Sequence, residues 1–153
     1  MCIRDSLKPV LRRGAYPVGV LAAGVARPWH VRVVVDGREV HDGHRPLLMV
    51  AASIGTTIGG GAPVSPTSVP HDGVVDVLVS TATGPLARAG YARTLWHGQH
   101  LERSDVVVAR GADVVLESVD GRPFALNADG ETTERQVRHR WRTAPDAWSV
   151  RVP

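Results

Sequence analysis

The pattern of this chain predicts a mostly β domain, an antiparallel sandwich or barrel with one or two short helices. Three observations predict it. Valine is abundant, glycine (16) and proline (11) are frequent, and aromatic residues make up only 5%, a mixture that favours short strands joined by turns. Period-two alternation recurs along the chain, in Val31, Val33 and Val35 and again in Val137, His139 and Trp141. Strand-like segments outnumber helix-like ones and come at short, regular spacing.

Composition sets the outer bounds. With 153 residues, 43% of them hydrophobic and 22% charged, the chain makes one domain with a real core. The single cysteine, Cys2, excludes a disulfide framework and any multi-cysteine metal site, and it is consistent with a reducing compartment. The longest apolar run, residues 18–26, is far short of the ~20 residues needed to span a bilayer. No secretory signal opens the chain. The net charge of +3 comes almost entirely from arginine and by itself selects no partner.

The elements follow in order. Residues 1–6 fit poorly with what comes after and read as a non-native or truncated start, so the domain is expected over residues 7–153. Leu7, Val10, Leu11, Val18, Leu21 and Ala22 recur at near-helical spacing broken by Pro9, Gly14 and Pro17, which predicts one or two short helices ending before Pro28. Residues 31–35 and 38–40, joined by Asp36-Gly37, predict a hairpin. The nearly continuous apolar run 47–54 predicts a strand in the middle of a sheet. It leads into a glycine-rich stretch, residues 55–61, and then into prolines. Residues 71–79 predict a turn feeding a strand. Leu86, Ala89, Gly90 and Arg93 predict a helix within 86–101, ending near Gly98. Strands are then expected at 105–109, 113–118, 123–127, 135–142 and 148–152.

Several stretches carry residues with possible chemistry. Asn127-Ala128-Asp129-Gly130-Glu131 is an acidic turn between an apolar run and a basic strand. Asp-Gly is a common turn dipeptide, found here also at Asp36-Gly37 and Asp120-Gly121, and alone it implies no more than a hairpin with a solvated glutamate. The stretch from Gly55 to Gly61 lacks a Gly-Lys-Ser/Thr ending, does not match G-x-G-x-x-G, and leads to prolines, which argues against both standard nucleotide loops. Its three successive glycines suit close passage of the backbone past another segment or a ligand. Asp72 and Asp76 flank a turn at Gly73, a spacing that either puts oxygens around a hard cation such as Mg²⁺ or gives a turn aspartate and a strand-edge aspartate. The seven histidines show no metal-ligand spacing; His97 and His100 suit capping or packing at a helix end. Arginine clusters only at Arg138, Arg140 and Arg142, so a nucleic-acid-binding reading is weak.

Taken in order, these elements resemble the C-terminal half of the diacylglycerol kinase and sphingosine kinase family, the bacterial YegS-like lipid kinases. The matching features are the Val-rich hairpin with Asp36-Gly37, the apolar strand ending in the Gly59-Gly60-Gly61 loop with its proline-rich lead into Asp72-Gly73-Val74-Val75-Asp76, the helix with His100 before a Val-rich strand, and Leu126 to Glu131 with the closing segment after it. The resemblance implies a β-sandwich carrying part of the lipid site, with ATP held mainly by an N-terminal domain whose Gly-Gly-Asp-Gly-Thr motif this chain lacks. It implies Glu131 as general base on the lipid hydroxyl, supported by Asp129. It also implies Asp72 and Asp76 at a Mg²⁺ site, and Gly59, Gly60 and Gly61 lining the cleft where the cofactor lies. Ile54-Gly55 stands where the family often has Asn-Gly. The expected partners are a lipid substrate and the inner face of a membrane, approached from the cytoplasm by a peripheral protein; a homodimer stays open. A β-sandwich that binds lipid or a partner without catalysis is the alternative, and a fragment like the nicotinamide nucleotide kinases is third.

Overall fold

The structure, a computed structural model, describes residues 28–58, 61–128, 131–145 and 147. The expected helices before Pro28 and the expected strand 148–152 lie outside these residues. The strands are β1 (Val31–Val35), β2 (Arg38–His41), β3 (Met49–Ser53), β4 (Val75–Ser80), β5 (Val106–Gly111), β6 (Asp113–Ser118), β7 (Asn127–Ala128), β8 (Glu131–Thr132) and β9 (Arg138–Arg142). One α-helix, α1 (Pro85–Trp96), and a 3₁₀ turn at His100–Glu102 lie between β4 and β5. Among the described residues all pairings are antiparallel, in sheets ordered β2-β1-β6-β9 and β3-β4-β5, with β7-β8 a separate ribbon.

The two larger sheets face each other as a sandwich. Val31, Val33, Val35, Val114 and Leu116 from one sheet pack on Val77 and Val79 from the other, with Leu47 and Phe124 closing the ends. Alternation along β4 sends its other face the opposite way. There Leu78 joins Val64, Ala82, Tyr91, Leu95 and Val106 in a second core beneath α1. β4 is thus covered on both sides, by a sheet and by a helix, and its side chains are buried almost throughout.

This layering corrects the expectation for the apolar run 47–54. Its strand, β3, stands at the end of its sheet among the described residues, and β4 takes the middle. The run is apolar because both faces of β3 are half-covered: Val50 leans on the first core, while Met49 and Ala51 lean on the second. Burial on both faces gives an edge strand the look of a central one.

The helix is correct in kind and shifted in phase. Leu86, Ala89 and Arg93 do lie on one stripe, but that stripe faces outward, and the buried residues are Arg88, Tyr91 and Leu95. The arginine is accommodated because its Nε donates to the Thr83 carbonyl at 2.7 Å. α1 stops at Trp96, Gly98 takes φ of 69°, and His100 then packs edge-on against Tyr91 while its Nε2 bonds the Val64 carbonyl at 2.9 Å. In the later part of the chain the expected strand 123–127 reduces to a bridge from Phe124 to Gln136 followed by β7. The expected strand 135–142 begins only at Arg138.

Asp36 joins the two sheets at a corner. Its φ of 49° and that of Gly37, 76°, form the left-handed pair that a tight hairpin turn requires. The Asp36 carboxylate accepts the backbone N–H groups of Ala112 and Asp113 at 3.0 and 2.9 Å. Those are the residues where the chain leaves β5 in one sheet and enters β6 in the other.

Candidate active site

The acidic ribbon is built from the core outward. Phe124 is buried in the sandwich core and exchanges two backbone hydrogen bonds with Gln136, both 2.9 Å. Leu126 packs against the same core, donates its N–H to Thr133 Oγ1 at 3.0 Å, and accepts the Thr133 N–H at 2.9 Å. Beyond these rungs, Asn127 pairs with Thr132 and Ala128 with Glu131. Glu131 therefore projects, exposed, from a hairpin arm rooted in the core. Asp129, its implied partner, lies outside the described residues.

Glu131, like Glu102 and Glu134, is uncommitted, in contrast to the described aspartates. Asp36, Asp42, Asp72, Asp76, Asp105, Asp113 and Asp120 each hold a hydrogen bond or an ion pair. The Glu131 carboxylate has none among the described residues. A carboxylate free of cations and donors keeps its lone pairs available to an incoming hydroxyl.

The glycine loop and the Asp72–Asp76 pair meet at a second place. Ile58 and Ala62 exchange backbone hydrogen bonds of 2.9 and 3.2 Å across the loop, and Gly61 carries a φ of 84° that a side chain would strain. Gly59 and Gly60 are outside the described residues. Three residues after Ala62, buried Ser65 donates its hydroxyl to Asp76 Oδ2 at 3.0 Å. Asp76 is only 4% exposed, and its other oxygen accepts Arg110 Nε at 2.7 Å. A second nitrogen of Arg110 pairs with Asp72. Asp72 meanwhile caps its own turn by accepting the Val74 N–H at 3.1 Å.

The structure thus brings Asp72 and Asp76 together, through a guanidinium. A divalent cation does not fit the pair as it stands, because Arg110 already occupies the space between the carboxylates and supplies their positive charge. Among the described residues no group of three or more His, Cys, Asp or Glu is placed to hold a metal ion. Arg110 went unrecognised in the sequence because it enters only through register: β4 pairs with β5 so that Asp76 stands directly opposite Arg110. An aspartate and an arginine separated by 34 positions carry no local signal. Among the described residues no hydrogen bond or ion pair joins this cluster to the acidic hairpin.

Residues 5–152 match the family described as the YegS C-terminal NAD kinase β-sandwich-like domain. No curated protein sequence matches the chain. Among solved structures, one described as a diacylglycerol kinase from Bacillus anthracis str. Sterne superposes with a TM-score of 0.63 at 18% identity, over 92% of this chain and 46% of its own. Two more from the same organism, described as candidate diacylglycerol kinases, give TM-scores of 0.68 at 18% and 16% identity, over 91% of this chain and 44% and 46% of theirs. At such identities the likeness establishes a shared fold. The chain spans less than half the length of these neighbours.

Proposed function

Because the chain belongs to the family of YegS C-terminal, NAD kinase-like β-sandwich domains, we propose that it works as the C-terminal domain of an ATP-dependent lipid kinase. The observation that carries the reading is the match over nearly the whole chain, and the kinase-described neighbours of the same fold support it. The substrate class is a lipid with a free hydroxyl, of the diacylglycerol or sphingosine kind, met by a peripheral protein at the cytoplasmic face of a membrane. No helix among the described residues is long and apolar enough to cross one.

In this reading Glu131 takes the proton of the lipid hydroxyl as its oxygen bonds the γ-phosphorus of ATP and the bond to the bridging oxygen breaks, leaving ADP. The exposed, uncommitted carboxylate on an arm anchored at Phe124 and Leu126 supports that role. Asp129 steadies Glu131, and Gly59, Gly60 and Gly61 let the backbone approach the nucleotide. Magnesium belongs to the reading as the companion of the ATP phosphates. The Asp72–Arg110–Asp76 cluster acts as a brace that holds the glycine loop to the sheet through Ser65. The sequence has no Gly-Gly-Asp-Gly-Thr, so the chain on its own is expected to be inactive.

The test is a fusion of the chain behind the nucleotide-binding domain of a homologous lipid kinase, assayed for ATP-dependent phosphorylation of mixed diacylglycerols with and without Glu131→Gln. Loss of a general base lowers kcat by roughly 10²–10⁴-fold. An active fusion indifferent to the substitution would remove Glu131 from the chemistry. A folded fusion with no activity would favour a sandwich that binds lipid without catalysis.

A further inference from the structure

The outer face of α1 reverses the usual helix pattern. Arg88 is buried, while Leu86 is 89% exposed and Trp96 is 51% exposed. Arg93 lies on the same outward stripe, followed by His97 at the helix end. α1 contains no aspartate or glutamate at all. Beside it a groove of about 450 Å³ runs between the helix and the chain that leaves it, lined by Gly90, Arg93, Thr94, His97, Gln99 and Arg103. No acid is among those residues.

Arg103 is fixed there rather than free. Its Nε and Nη2 donate to the two oxygens of Asp105 at 2.7 and 2.6 Å. Its guanidinium also lies over Gly90, where a Cβ would sit 2.9 Å from Nη1. Glycine at this position lets a planar cation rest against the helix backbone. Arg93 makes no hydrogen bond or ion pair among the described residues, so its charge remains available.

From this we infer that the outer face of α1 is a docking surface for an anionic lipid bilayer, with Leu86 and Trp96 entering the interface and Arg93, beside the groove, facing the phosphate headgroups. The arrangement favours a membrane over a folded partner. The two apolar anchors are ten positions apart, roughly 15 Å along the axis at ~1.5 Å per residue, with the cation between them. Two separated apolar anchors flanking a cation, on a helix without an acidic residue, suit an anionic interface plane, whereas protein hot spots cluster in one desolvated pocket. Tryptophan and leucine beside arginine match the chemistry of the headgroup boundary, where an amphipathic ring and a cation are both satisfied. The surface deepens the lipid-kinase reading by naming the face that meets the bilayer, yet its test involves no kinase activity.

The experiment is vesicle co-sedimentation of the 153-residue chain on phosphatidylcholine alone and on phosphatidylcholine mixed with phosphatidylglycerol. Binding is expected on the mixed vesicles and not on the neutral ones. Removing one interfacial cation weakens such binding by roughly fivefold, so Arg93→Glu should weaken it by that or more. Leu86→Ser and Trp96→Ala should each weaken it several-fold, with folding checked by circular dichroism. Arg138→Glu, on the far sheet, should leave it unchanged. Binding lost through Arg138→Glu while all three helix variants bind normally would overturn the assignment, as would failure of the folded chain to bind either vesicle. Neither result would touch the Glu131 test, so the docking surface and the catalytic reading can fail separately.

Discussion

Gly111 has no room for a side chain. A Cβ built there collides with Val35 Cγ1 and the Asp36 carboxyl, two groups that a well-packed corner cannot move without cost. Gly111→Ala should therefore destabilise the fold by about 1–3 kcal/mol, read as a lower midpoint in urea at an unchanged slope. Gly90→Ala is a contrasting case, since the obstructing atom belongs to the far end of Arg103. Arg103, through its pair with Asp105, also sets an acid limit. The hydrogen bonds from Arg103 hold the Asp105 carboxyl below the usual aspartate range, and burial opposes them only in part. A carboxyl lowered on folding contributes stability that is present above its unfolded pKa and lost as pH falls through its folded one. Thermal melts of the native chain should thus lose more on acidification below about pH 4 than melts of Asp105→Asn, which lacks this titration. Equal acid losses would show that the pair does not matter to stability.

Among the elements, β4 carries the greatest share of the packing. Val77 is wholly buried against the facing sheet, and Val77→Ala should cost roughly 2 kcal/mol or more, measurable by denaturant unfolding. Arg110→Ala takes the cationic partner from a buried Asp76 and leaves it the Ser65 hydroxyl. A cost of about 1–3 kcal/mol follows, and Asp76→Asn in the same background should recover part of it. These elements were unequally legible in the sequence. The β1–β2 hairpin and β9 announced themselves through alternation and through Asp36-Gly37, because one-sided burial and turn chemistry are both local. The position of β3 was not legible, since an edge strand covered on both faces reads like a central one. The facing of α1 was hidden for a related reason: Leu86 outside and Arg88 inside defeat any rule that apolar residues point inward. From its neighbours alone Glu131 read as part of a turn, and only the resemblance gave it a role. Its lack of a partner among the described residues, and the guanidinium between Asp72 and Asp76, depend on contacts far apart in sequence that no spacing encodes.

At the scale of the molecule, the two cores share one strand. Val77 and Val79 face the sandwich, Leu78 faces the helix, and neither core is complete without β4. Loss of either core should remove the support of the other, so the described body should unfold in a single transition. Far-ultraviolet circular dichroism and tryptophan fluorescence should give coincident midpoints in urea. Val77→Ala should shift both by the same amount, and separated midpoints would mean that the α1 layer melts by itself.

The strand order also has a consequence in time. β1 pairs on one side with its hairpin partner β2 and on the other with β6, with Val31 opposite Ser118. The Asp36 clamp on Ala112 and Asp113 is equally remote. During synthesis the first hairpin must wait, half-paired, until about half of the chain has followed it. Closing so long a loop before its contacts form is slow. The nascent chain spends that interval with the flank of a valine strand open to pairing with any other extended segment nearby.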